Sequence, residues 1–241
     1  ASYRARYADL RSAFGNNLKA YYDHYSINGY AEGRVATGST ELQNPTTVYN
    51  GVDYKLVYDY NYYINKYPDI KAAFNGDENA TLRHFVECGM NEGRQGKASF
   101  NVAAYRANYA DLRSAFGRNL KAYYMHYIGS GYREGRKATG NGVLKNPVTV
   151  YNGVDYSLVY DYNYYISKYS DLKAAFYGDD TAALRHFVEC GMNEGRQAKD
   201  SFNVKKYKNR YNDLQNAFGN DLKSYYMHYI GSGYKEGRKG N

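Results

Sequence analysis

A chain that repeats itself at a fixed interval folds as a set of like modules, and this one does so from end to end. Tyr-Ala-Asp-Leu-Arg-Ser-Ala-Phe occupies 7–14 and recurs at 109–116, an offset of 102 that holds for the rest of the chain. The same offset pairs Thr-Val-Tyr-Asn-Gly-Val-Asp-Tyr at 47–54 with 149–156, and His-Phe-Val-Glu-Cys-Gly-Met-Asn-Glu-Gly-Arg at 84–94 with 186–196. Each period contains two shorter units, because Asp9, Asp69, Asp111, Asp171 and Asp213 follow one another in alternating steps of 60 and 42. The order is therefore A-B-A-B-A. Every copy keeps one frame: Asp followed by Leu or Ile, Ala-Phe four residues on, and a His fifteen after the Asp (His24, His84, His126, His186, His228). A Gly (Gly29, Gly89, Gly131, Gly191, Gly233) and a closing Glu-Gly-Arg complete it. The boundaries that follow are A copies at 1–38, 98–140 and 200–241, B copies at 53–97 and 155–199, and linkers at 39–52 and 141–154.

A unit of about 40 residues rarely sustains its own core, so neighbours are expected to share one, as in solenoids. The material for that core is unusual. Leu, Ile, Val and Phe supply only 41 of 241 residues, while 33 are Tyr and none is Trp, so phenol rings must build the interior. The expectation is an all-α, tandem short-helix array, about three helices per unit, stacked and elongated. By the offset, Ala1 corresponds to Ala103, so the aromatic and Asn that open the later A copies are missing from the first. This reads as a fragment whose last copy closes at a repeat boundary, Gly240-Asn241.

Local signals place the helices. Phe100-Asn101, Phe202-Asn203, Tyr58-Asp59 and Tyr160-Asp161 each put an N-cap after an apolar residue. Tyr105, Tyr207, Tyr63 and Tyr165 stand five residues beyond that residue, the spacing of a hydrophobic staple. The recurring Asp is expected to cap a second helix, and Asn17, Asn119 and Asp221 a third, whose inward stripe is Leu120, Tyr124 and Tyr127. The Gly after each His is expected as a left-handed C′ residue. The A-to-B linkers carry Asn-Gly at 50–51 and 152–153 and read as a short hairpin or an extended strap, with the strap favoured. The B-to-A connection is only a few residues, so B is expected to stack directly on the A that follows.

The units Tyr-Asp-Tyr-Asn-Tyr-Tyr-Ile, Asp-Leu-Lys-Ala-Ala-Phe, His-Phe-Val and Gly-Met-Asn-Glu-Gly-Arg resemble tandem repeats in secreted or surface proteins of Clostridia, notably Lachnospiraceae. The resemblance covers the whole chain. It implies a Gram-positive, secreted or cell-surface setting beside cell-wall hydrolases or within large surface proteins, and a role that is not itself catalytic. Because some Lachnospiraceae surface proteins bind host immunoglobulin in a superantigen-like manner, it also implies that alternative.

Chemistry is hard to find in the pattern. The formal charge is +8, but 32 basic and 24 acidic residues are interspersed, which favours a mixed solvated surface over a nucleic-acid stripe. No apolar run is long enough to cross a bilayer. One His per copy does not make the four-ligand grouping of a structural zinc, so no metal and no cofactor are expected; a buried His bonded to a neighbouring unit is the better reading. Cys88 and Cys190 occur only in B copies and read as small buried hydrophobes with free thiols. No phosphate loop, zinc motif or nucleophile elbow appears, and Gly140-Asn141-Gly142 lies in a linker. The expectation is no enzyme and no catalytic residue.

Rings that the frame does not need are then the candidate binding residues: Tyr62 and Tyr164 on the first B helix, Tyr21, Tyr123 and Tyr225 beside the core stripe, and Tyr49 and Tyr151 on the linkers. Such rings can stack on sugars, and weak sites repeated along a polymer gain avidity. Tyr and Arg also anchor protein interfaces. The expected partner is a multivalent one, cell-wall or other glycan ahead of a host protein such as immunoglobulin, with neither nucleic acid nor membrane insertion.

Overall fold

The computed structural model describes residues 1–74 and 76–241. Among these residues it is mostly helical: 15 short α-helices in repeating sets of three, with two small hairpins. The first A copy carries α1 (Ser2–Arg6), α2 (Ala8–Phe14) and α3 (Leu18–His24). A hairpin of β1 (Val48–Tyr49) and β2 (Val52–Asp53) leads to α4 (Tyr60–Lys66), α5 (Pro68–Phe74) and α6 (Glu78–His84) of the first B copy. The pattern repeats through α7 (Val102–Asn108), α8 (Ala110–Phe116), α9 (Leu120–His126), β3 (Val150–Tyr151) and β4 (Val154–Asp155). It continues with α10 (Tyr162–Lys168), α11 (Ser170–Phe176) and α12 (Asp180–His186), and ends with α13 (Val204–Arg210), α14 (Asn212–Phe218) and α15 (Leu222–His228). The chain forms two compact units, Ala1–Tyr105 with Asn119–Thr139, and Arg106–Arg118 with Gly140–Asn241.

The caps sit where side-chain chemistry puts them. Asp59 and Asp161 accept from the amides of Tyr62 and Tyr164, both at 2.8 Å, and Asn203 accepts from Lys206 at 3.1 Å. Asn17, Asn119 and Asp221 cap the third helices. The staples close with ring centroids 5.5–5.7 Å apart in Tyr58–Tyr63, Phe100–Tyr105, Tyr160–Tyr165 and Phe202–Tyr207. In the second unit one core runs from Ala107 through the B copy to Tyr229 of the last A copy, so copies do share an interior there.

Three local expectations are corrected. The linkers are hairpins, not straps: Asn50 and Gly51 both take positive φ (47° and 76°), as do Asn152 and Gly153 (47° and 77°), which is what a two-residue primed turn requires. The Gly after each His is not left-handed, because each third helix runs on through one π-helical turn, Tyr25–Gly29 in the first copy. The left-handed residue comes four later, at Gly33, Gly93, Gly135, Gly195 and Gly237. Finally, the frame Asp is not the N-cap residue: Tyr7, Tyr109, Tyr169 and Tyr211 occupy the N-cap positions, with no side-chain capping bond, and the Asp lies inside the first turn.

The Asp instead joins a clamp. Arg34, Arg94, Arg196 and Arg238 of the Glu-Gly-Arg triplets pair with Asp9, Asp69, Asp171 and Asp213 at 2.7–2.9 Å. Each also pairs with its own Glu32, Glu92, Glu194 or Glu236. The guanidinium lies 4.8–5.0 Å above the ring of Tyr7, Tyr67, Tyr169 or Tyr211.

Copies meet in two ways. From A to B, a buried guanidinium donates from all five of its N–H groups. Arg113 reaches Asp180 at 3.2 Å and the carbonyls of Arg106, Ala107, Lys145 and Asn146 at 2.8–3.1 Å. Arg11 does the same to Glu78 and to the carbonyls of Arg4, Ala5, Gln43 and Asn44. From B to A the contact is between rings: Phe85 meets Tyr124 at 5.8 Å, and Phe187 meets Tyr226 at 5.6 Å.

Candidate functional site

Two of the predicted rings form a built cluster, once in each compact unit. The Asp59 cap turns α4 so that Tyr62 lies half-buried on its outer face, and Lys66, one turn on, folds back over it. The ammonium sits 5.3 Å from the ring centroid, donates to the Tyr62 hydroxyl at 3.0 Å and reaches Gln95 Oε1 at 2.6 Å. Gln95 is itself fixed, its amide donating to the carbonyls of Lys97 and Ala98. Tyr164, Lys168 and Gln197 repeat this arrangement, with 5.1 Å to the centroid and bonds of 2.9 and 2.7 Å. The cluster offers an aromatic surface, a cation and an amide to an incoming hydroxylated or anionic group.

Tyr49 and Tyr151 project from the hairpins. The Tyr49 hydroxyl donates to Glu87 and that of Tyr151 to Glu189, and accepting carboxylates at these positions hold both phenols above their ordinary titration range. In the first unit Tyr49 opens on a cleft of about 410 Å³ shared with Arg11, Asp77, Glu78 and Arg83. A second cleft there, about 650 Å³, is lined by Arg4, Asn16, Tyr60, Asn61 and Lys71 and by none of the predicted rings.

Tyr21, Tyr123 and Tyr225 are not surface rings; all three are buried. The Tyr21 hydroxyl donates to the Gly15 carbonyl at 2.8 Å and its ring stands edge-on to Phe14; Tyr225 does likewise with Gly219 and Phe218. A seven-residue helix between two others buries a wider arc than one i, i+4 stripe, which is why the ring beside the stripe is also core. Conversely, Tyr22 and Tyr177 are exposed, and so is a further set of rings that recurs in every A copy. Tyr30, Tyr132 and Tyr234 are 77%, 57% and 57% exposed, each edge-on to the ring of Tyr25, Tyr127 or Tyr229 at 6.0–6.3 Å. The signal lay in the B copies, where Met90 and Met192 hold the same position fully buried, so the frame does not require a ring there.

Each His lies half-buried and bonds within its own copy, contrary to expectation. Nδ1 of His24, His84, His126, His186 and His228 stands 2.9–3.3 Å from the hydroxyl of Tyr3, Tyr63, Tyr105, Tyr165 and Tyr207. The glycine five residues on makes room: a Cβ on Gly29, Gly89, Gly131, Gly191 or Gly233 would fall under 3.0 Å from that phenolic oxygen. Cys88 and Cys190 are free but exposed rather than buried, because the π-turn rotates Cys outward while Val86 and Val188 face the core. Among the described residues no group of three or more His, Cys, Asp or Glu is placed to hold a metal ion, and no helix is long and apolar enough to cross a membrane. No family model, curated protein or solved structure matches this chain.

Proposed function

We propose that the chain is a non-catalytic binding array for a polymeric or multivalent partner, with cell-wall or another glycan as the favoured ligand, acting at the surface of or secreted from a Gram-positive bacterium. The observation that carries this reading is the recurrence of one preformed Tyr–Lys–Gln cluster in both compact units, with bond lengths that agree within 0.1 Å. Ring faces suit the apolar face of a pyranose, and the lysine and amide beside them suit its hydroxyls or carboxylates. The exposed Tyr30, Tyr132 and Tyr234 add a second recurring set, one per A copy. Individually weak sites of this kind gain affinity when the ligand also repeats. The resemblance to clostridial surface repeats supports the setting.

The test is co-sedimentation with insoluble Gram-positive cell wall, run beside a glycan array and an immunoglobulin pull-down. Retention on wall or glycan is expected, with a loss of about tenfold or more when Tyr62→Ala and Tyr164→Ala are combined, since both clusters then lose their ring. Retention of immunoglobulin without wall or glycan would replace this reading with the host-protein one. Undiminished glycan binding by the folded double variant would discard these two rings as the site.

A further inference from the structure

One face of the A fold is covered in two copies and open in the third. At the first B-to-A junction, Tyr124 is fully buried, its hydroxyl donating to the Arg94 carbonyl at 2.8 Å and its ring edge-on to Phe85. Lys121 donates to the Val86 carbonyl at 2.9 Å, and Leu120 Cδ1 lies 3.1 Å from where a Cβ on Gly93 would stand. At the second junction Tyr226 is equally buried, on the Arg196 carbonyl at 2.9 Å and the Phe187 ring, with Leu222 against Gly195. The first A copy presents the same residue types on α3 as Leu18, Lys19 and Tyr22. Here Leu18 is 60% and Tyr22 73% exposed, and Lys19 turns back to Asp23 at 2.6 Å.

We infer that the Leu18–Lys19–Tyr22 face of α3 is a docking surface for a further B-type repeat. The occupant is specified by what covers the equivalent face twice in this chain: a phenylalanine ring, a glycine that leaves room for leucine, and an arginine carbonyl that accepts from tyrosine. A second copy of residues 1–241 does not supply one, since Phe85 with the Arg94 carbonyl and Phe187 with the Arg196 carbonyl are already engaged by Tyr124 and Tyr226. The face is not a perfect replica. Asp23 and Ser26 stand where Met125 and Met227, and Ile128 and Ile230, are half-buried, so its grip on a B repeat is weaker at that edge.

The experiment extends the full chain by one period, placing a second copy of residues 103–204 directly before Ala1, so that a B repeat meets α3 through the connection used elsewhere. Hydroxyl-radical oxidation of Tyr22, read by mass spectrometry on the unique peptide 20–34, is expected to fall to the rates of Tyr124 and Tyr226. The Tm loss caused by Tyr22→Ala is expected to rise from about 1 °C in the 241-residue chain to about 5–10 °C in the extended one, because the same truncation moves from surface to core. Asp23→Met is expected to raise the Tm of the extended chain only. Unchanged Tyr22 oxidation, or an equally small Tyr22→Ala loss in both chains, overturns the inference. So does a concentration-dependent dimer of the 241-residue chain that Tyr22→Ala abolishes, which would assign the face to a second copy.

Discussion

The joint from A to B is organised around one buried cation, whereas the joint from B to A is organised around rings. In the first, every N–H of Arg11 or Arg113 has a named acceptor and the carboxylate opposite is 12% or 3% exposed, so the parts are useful only together. In the second, Phe85 with Tyr124 and Phe187 with Tyr226 contribute area, with one hydroxyl-to-carbonyl bond each to fix the angle. The third A copy shows that the A fold itself does not require the cation. Gln215 takes the arginine's place there and donates to the Lys208 carbonyl at 2.8 Å, while the helices around it are unchanged in length. A single module therefore uses polar specificity on one side and apolar contact on the other, and the two sides should fail differently.

The largest failure is expected at the cation. Arg113→Met removes five hydrogen bonds and leaves Asp180 buried without its counter-charge, a loss of about 3–5 kcal/mol that urea denaturation would register as a lower midpoint. Adding Asp180→Leu should return part of that loss, since the uncompensated charge is then gone. A cost no larger than that of a surface change would show that the joint does not depend on the bracket.

On the ring side, Tyr226→Phe keeps the area and deletes only the bond to the Arg196 carbonyl, so about 1 kcal/mol is expected from the same measurement. Equal costs for Arg113→Met and Tyr226→Phe would erase the contrast between the joints.

Acid should act on the clamps within copies. Hydrogen bonding to Arg94, Arg196 and Arg238 holds the carboxyls of Asp69, Asp171 and Asp213 below the usual 3.8. A carboxyl lowered on folding contributes stability that is complete above its unfolded value and is lost as pH falls through its folded one. Thermal scans should therefore show Tm falling below about pH 4, by less than Arg113→Met causes at neutral pH because these groups are solvent-exposed. A Tm insensitive to that range would mean the clamps are ornamental.

The smallest effect separates B from A copies. The hydroxyls of Tyr58 and Tyr160 are buried with no hydrogen-bond partner among the described residues, and the later A copies have Phe100 and Phe202 at that position. Tyr160→Phe should be neutral or stabilise by up to about 1 kcal/mol, as it removes an unsatisfied polar group without opening a void. A clear loss by calorimetry would reveal a partner for that hydroxyl.

What could be read from the sequence was what short-range chemistry decides. Asp59, Asn119 and Asp221 announce their helices because a cap bonds three residues ahead, and the Tyr58–Tyr63 staple closes over five. Asn50-Gly51 signals the hairpin, but two-residue strands carry almost no pattern, so the sequence alone favours an extended strap. The A-to-B bracket was invisible, since Arg113 and Asp180 lie 67 residues apart and an arginine beside Leu112 reads as surface. The exchange of Arg11 and Arg113 for Gln215 was the only hint. For the candidate site, Tyr62 and Tyr164 stand out because A copies have serine, alanine or lysine there, while Tyr30, Tyr132 and Tyr234 are masked by their fit to a helix-ending rule that the π-turn overrides.

That π-turn also makes a measuring stick. The phenol, the imidazole and the bare glycine occupy one small volume, so the intervals of twenty-one and five residues between them admit no insertion, and a change at any one strains the other two. Degenerate relatives of this module elsewhere should be recognisable by that fixed Tyr-His-Gly arithmetic long after their loops and surfaces have diverged.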